Sequence, residues 1–129
     1  MDGPHVEQFR RAYQALAEHG DLGVFREMLD PGIESWAWDG EGNCRGRDEV
    51  MQVIEGALEA GVPLRMSHFL GSGDVFVMVP DLDGLPPFFP ADAEGLFQVV
   101  EMRDGKIVRM RDFVRRQEAL VAAGIAASP

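Results

Sequence analysis

The stretch from Gly95 to Leu120, GLFQVVEMRDGKIVRMRDFVRRQEAL, constrains the fold most. An alternating run from Leu96 to Met102 meets Arg103-Asp104-Gly105, and a second alternating run follows from Lys106 to Phe113. Asp-Gly between two such runs predicts a β-hairpin, because the tight turn needs residues that tolerate positive φ. On the second strand a period of two places Val108, Met110 and Asp112 on one face. Ile107, Arg109, Arg111 and Phe113 fall on the other. A carboxylate on an apolar face is costly unless it is paired or used, which singles out Asp112. A short helix is expected after the hairpin, near Arg115 to Ala123.

Upstream, Val6, Phe9, Tyr13, Leu16 and Ala17 follow helical spacing, and His19-Gly20 stops that helix. Asp21 is placed to cap a second short helix with Leu22, Phe25, Met28 and Leu29 inward, ended by Asp30-Pro31-Gly32. A strand is expected from Ile33 to about Asp39, with Trp36 and Trp38 on one face. Gly40 to Gly46 reads as loop. Asp48 then caps a third helix carrying Val50, Ile54, Ala57 and Leu58, closed by Gly61 and Pro63. Leu64 to Leu70 and Val75 to Val79 flank Gly71-Ser72-Gly73-Asp74 as a second hairpin. The connection from Asp81 to Ala93 holds Gly84, Pro86, Pro87 and Pro90, and within it Phe88 and Phe89 either cover a pocket or pack as a plug.

The 129 residues fit a single domain over 1–129 with one sizeable core. Apolar residues at 46%, with 15 glycines and 8 prolines, favour a folded, turn-rich α+β chain over disorder. Helices in the first half and strands in the second imply one curved, mostly antiparallel sheet wrapped as a cone around three helices. Three helices do not fill the concave side of such a sheet, so an internal cavity open at one end is expected.

A formal charge of −10, from 22 acidic against 12 basic residues, argues against a nucleic-acid partner. Cys44 is the lone cysteine, which removes a disulfide framework and a cysteine-based zinc site. No His and carboxylate pair has metal-ligand spacing, and no glycine-rich phosphate loop opens a helix, so neither metal nor cofactor is expected. The start, MDGPHVEQF, has no signal-peptide or lipidation pattern, and no apolar run approaches a membrane span. A cytoplasmic protein without a membrane partner is the expectation.

Tyr13…His19-Gly20-Asp21, Leu29-Asp30-Pro31, Cys44-Arg45-Gly46-Arg47-Asp48 and the Gly105 to Phe113 segment together resemble the nuclear transport factor 2-like superfamily, over nearly the whole chain. That superfamily includes ketosteroid isomerases, SnoaL-type polyketide cyclases and limonene-1,2-epoxide hydrolases. The resemblance implies the cone fold and a homodimer formed through the convex sheet face, with Leu96, Gln98 and Val100 as candidate contacts. It leaves the reaction open, because the fold hosts many chemistries.

The closing strands, Gly95-Leu96-Phe97-Gln98 and Arg111-Asp112-Phe113, are most similar to the epoxide hydrolases. In that family one Asp takes a proton from water, a second protonates the epoxide oxygen, and an Arg bridges them. By resemblance Asp112 falls on the first and Asp81 near the second. Val79 or Pro80 falls on the Arg, and Trp36 and Trp38 fall near the water-positioning residues. Against the isomerases, Tyr13 matches the hydrogen-bond-donating tyrosine, the base falls near Ala37 or Trp38, and Phe97 falls near the protonated Asp.

Two readings of Asp112 follow: a general base facing an apolar cavity, or a carboxylate paired to Arg111, Arg115 or a backbone N–H. Tyr13 is either a core residue or a donor into the cavity, with Asp81 as the other candidate acid. Trp36 and Trp38 either wall the pocket or pack at a dimer interface. His68 reads as a core histidine or a proton shuttle. With Phe97, Met110, Phe88 and Phe89 these residues form the expected substrate-binding set. The functional expectation is cofactor-free acid–base chemistry on a hydrophobic small molecule: epoxide hydrolysis, isomerisation or cyclisation. The alternative is a non-catalytic ligand-binding or accessory protein of the same fold.

Overall fold

The computed structural model describes residues 3–40, 43–61, 65–71, 73–81 and 89–125, and the side chains of Met66 and Ser67 lie outside this description. Helix α1 (Pro4–His19) begins on a proline, whose missing N–H is no loss in a first turn. It ends at Gly20, in the left-handed region at φ +63°. The Gly20 N–H bonds the Leu16 carbonyl at 2.9 Å and the Asp21 N–H bonds that of Ala15 at 3.2 Å, so two end carbonyls are satisfied. Asp21 caps α2 (Leu22–Met28) as expected, its Oδ1 accepting from the Val24 N–H at 3.2 Å.

The following strand, β1 (Leu29–Trp36), starts earlier and stops earlier than Ile33–Asp39. A short strand, β2 (Cys44–Arg45), lies where a loop was expected. Helix α3 (Arg47–Glu59) is entered through Gly46 at φ +86° rather than through an Asp48 cap. Asp48 sits in the first turn and pairs with Arg26 at 2.7 Å. Strands β3 (Arg65–Leu70), β4 (Val75–Asp81), β5 (Phe97–Arg103) and β6 (Lys106–Phe113) precede helix α4 (Arg116–Ala123). The β5–β6 turn has the expected chemistry: Asp104 and Gly105 both take positive φ, at +53° and +76°.

The six strands form one curved sheet in the order β2-β1-β6-β5-β4-β3, antiparallel except for the β1–β6 pair. The core lies between its inner face and α1, α2 and α3. Phe9 centres an aromatic cluster there, with ring centroids 5.7 Å from Tyr13, 6.1 Å from Phe25 and 5.6 Å from Phe76. Each ring buried in this way stabilises the fold by about 2–3 kcal/mol. On the opposite face α4 covers a smaller cluster of Val77, Phe97, Val99 and Ala119.

That second layer corrects two expectations. Gln98 and Val100, expected on the convex face as dimer contacts, point inward, where Val100 is fully buried among the core residues. Phe97, expected in the pocket, faces outward under α4. A strand covered on both sides is apolar on both sides, so alternation alone does not show which face is inner. A bulge between Ile107 and Arg109, opposite Glu101 and Met102, places Ile107 in the same core as Met110 instead of on the other face. Among the described residues no helix is long and apolar enough to cross a membrane.

Candidate functional site

Between α3 and the inner ends of β1, β2, β5 and β6 lies a cavity of about 640 Å³. Its wall follows from strand register. Cys44, Ser35 and Met110 lie side by side across β2, β1 and β6, paired Ser35 to Cys44 and Ser35 to Met110. One step along β6 on the same face comes Asp112, directly opposite Gln98 of β5, which is itself opposite Met78 of β4. Ala37 continues the wall beyond Ser35, and Val50, Val53 and Ile54 of α3 close the facing side. Trp38, Asp39 and Pro90 complete the lining.

Asp112 keeps part of its surface open to this cavity while protein encloses most of the carboxylate. Burial is the main cause that pushes its pKa from the usual carboxylate range up to about 6. A hydrogen bond from the Gln98 side chain acts the other way, favouring the ionised form. Neither arginine considered as its partner is committed to it. Arg111 points under α4 and donates to the Ala122 carbonyl at 3.1 Å. Arg115 pairs with Asp92.

Tyr13 lies behind the wall in the aromatic cluster, 8% exposed. Burial first and the Asp112 charge second raise its pKa to about 12, so it keeps its proton across the neutral range. That electrostatic coupling puts the phenol close to Asp112. In the wall itself, burial and then the Glu49 carboxylate hold the Cys44 thiol above its ordinary pKa.

The structure separates the two tryptophans. Strand β1 ends at Trp36, and the chain then turns, with the Ala37 N–H bonded to Asn43 Oδ1 at 2.9 Å and the Gly40 N–H to the Ala37 carbonyl at 3.2 Å. The alternation therefore stops before Trp38, which lines the cavity. Trp36 is 40% exposed on the outer face, with the Arg109 guanidinium 5.2 Å from its ring centroid. Phe89 rests against Trp38, centroids 4.5 Å apart and planes at 43°, beside the lining residue Pro90. Phe88 lies outside the described residues.

Three other expected residues sit away from the cavity. Asp81 is at the exposed end of β4, with Arg65 at 3.8 Å. His68 is exposed on β3, where a register shift between Met66 and His68 turns Phe69 rather than His68 toward the core. Phe97 lies under α4. Sequence reasoning missed Gln98 and Cys44 as wall residues. The signal for Gln98 was its pairing with Asp112, since residues opposite one another across a hairpin share a face. Among the described residues no group of three or more His, Cys, Asp or Glu is placed to hold a metal ion.

No protein-family model matches the chain, and no curated protein sequence does. Solved structures do. An NTF2-like protein of unknown function from Burkholderia pseudomallei K96243 is 21% identical with a TM-score of 0.63, covering 92% of this chain and 96% of that one. A candidate polyketide cyclase from Sinorhizobium meliloti is 17% identical with a TM-score of 0.63, covering 83% and 94%. TerC, solved with polyporic acid, is 20% identical with a TM-score of 0.60, covering 94% and 98%. Similarity at these identities establishes architecture and leaves activity open. The cone of curved sheet around α1 to α3, with its cavity at the open end, is the fold of the nuclear transport factor 2-like proteins.

Proposed function

We propose that this chain is a small-molecule enzyme performing cofactor-free acid–base chemistry on a hydrophobic substrate, with Asp112 as the base. The observation that carries the reading is Asp112 itself: a carboxylate in the wall of an apolar cavity, with its pKa raised to about 6. A base poised near the working pH is ionised often enough to act and basic enough to take a proton from water or from carbon. Gln98 orients the carboxylate, and Trp38 offers a flat wall to the substrate. Tyr13 stands behind the wall and keeps its own proton, with its pKa at about 12, so no proton donation is assigned to it. Hydrolysis of an epoxide, isomerisation and cyclisation all require this proton transfer. The candidate polyketide cyclase among the structural neighbours is consistent with the last. Asp81 has no part in the reading.

The second reading is a ligand-binding protein without turnover. It is favoured by one observation: Asp81, the acid expected to work with Asp112, sits at the exposed end of β4 and is not among the residues of the described wall. The proposal also includes a cytoplasmic location and a homodimer. Sedimentation as a monomer at micromolar concentration would remove the dimer.

The test is product analysis with a panel of hydrophobic epoxides and unsaturated ketones, with Asp112→Asn in parallel. The enzyme reading expects turnover that drops on the order of a hundredfold or more in a folded Asp112→Asn. Binding without turnover across the panel selects the second reading.

A further inference from the structure

The charge lining the cavity has one sign. Asp112 and Asp39 are in the wall, and no lysine, arginine or histidine is. This holds beyond the described wall. All 12 lysines and arginines and all three histidines of the sequence fall in described segments, so the segments outside them have no basic side chain to add. The nearest arginines along β6, Arg109 and Arg111, are turned to the outer face, one on the Trp36 ring and one under α4.

At the inner end of the cavity stand a carboxylate and the Gln98 amide bonded to it. Apart from Cys44, Ser35 and Asp39 the rest of the wall is apolar, with the Trp38 ring on one side. An anionic head group entering here would lose its hydration and meet Asp112 with no cation to offset either cost. A head group that donates hydrogen bonds would give the carboxylate oxygens a donor to accept from. A positive charge would add Coulomb attraction and a contact with the indole face.

We infer that the cavity discriminates among hydrophobic molecules by head group, disfavouring negative charge and favouring hydrogen-bond donors, a protonated amine being preferred to an alcohol and an alcohol to a carboxylate of the same shape. This rests on the cavity being the working site proposed above, and it names the class of molecule that site favours. It disfavours carboxylates and phosphates as substrates in their ionised forms.

The experiment is isothermal titration at pH 8 and low salt with three probes of one apolar body: 2-naphthylmethylamine, 2-naphthylmethanol and 2-naphthoate. The expected order is amine, then alcohol, then carboxylate, with the amine at least about tenfold tighter than the carboxylate. In Asp112→Asn the gap between amine and carboxylate narrows several-fold. Val53→Lys tests the same idea without touching Asp112, because Val53 lines the cavity yet is 60% exposed and tolerates a long side chain. It too narrows the gap, by strengthening carboxylate binding.

A carboxylate that binds as tightly as the amine overturns the inference. So does a preference unchanged in both variants, and so does failure of all three probes to bind. No turnover is read, so the amine preference stands even if catalysis is absent. A catalytic protein that prefers the carboxylate contradicts this inference alone.

Discussion

Gln98 and Asp112 stand opposite one another across β5 and β6, and the Gln98 amide donates a hydrogen bond to the Asp112 carboxylate inside the cavity. The bond favours the ionised form against the larger effect of burial, so Gln98 tunes the base as well as orienting it. Replacing Gln98 with Leu keeps the bulk and removes the donor. The carboxyl of Asp112 is then expected to titrate at higher pH than in the wild type, read from its ¹³C chemical shift. An unchanged midpoint in the folded variant would show that the amide has no hold on the carboxylate.

The raised pKa of Asp112 also fixes a stability effect. Its folded value, about 6, lies above the ordinary 3.8 that it takes in an unfolded chain. Between these values the folded state binds the extra proton, so this residue's contribution to stability falls as pH rises and the full penalty is present above pH 6. Asp112→Asn is therefore expected to stabilise the fold by about 3 kcal/mol at pH 8, and by roughly half that at pH 5. Urea denaturation at the two pH values measures it. An Asn variant less stable than wild type at pH 8 would mean the carboxylate has partners that outweigh its burial.

The two tryptophans give a paired prediction. Trp38 walls the cavity while Trp36 stacks on Arg109 outside it. Trp38→Ala is expected to weaken ligand binding by about tenfold or more. Trp36→Ala should leave it within about twofold. In single-tryptophan variants, ligand should change the emission of Trp38 and leave that of Trp36 as it was.

Gly71 holds the edge of α4's docking surface. Its φ is +80°, and a Cβ there would lie 2.6 Å from Ile125 Cδ1. Gly71→Ala is expected to cost about 1–2 kcal/mol from backbone strain and displacement of Ile125. Thermal unfolding reports the loss, and hydrogen exchange should locate it in α4. A variant as stable as wild type would place no constraint on this turn.

The parts of the fold legible in the sequence were those set by local chemistry. Asp104-Gly105 specified its turn, Gly20 its helix end and Asp21 its cap, because each acts within a few residues. The shared face of Met110 and Asp112 was legible too, because alternation holds over the residues that follow the bulge. What failed depended on tertiary context. The faces of β5 were read inverted because α4 buries Phe97 and Val99 as fully as the core buries Val100. Bulges in β3 and β6 shifted the faces of His68 and Ile107, and no residue type announces a bulge there. Trp38 parted from Trp36 because β1 ends between them, a boundary set by the Asn43 side chain bonding the Ala37 N–H. Asp81 was assigned by resemblance alone, and its strand carries it to an exposed end.

As proposed, Asp112 is a base held near neutrality by its cavity. The most direct measurement is the ¹³C-carboxyl NMR titration of the wild-type protein, with the Asp112 resonance assigned by its loss in Asp112→Asn. A midpoint near pH 6 is the predicted result. A midpoint near 4, the value of a solvated aspartate, would contradict the claim and leave the cavity a binding site without a base.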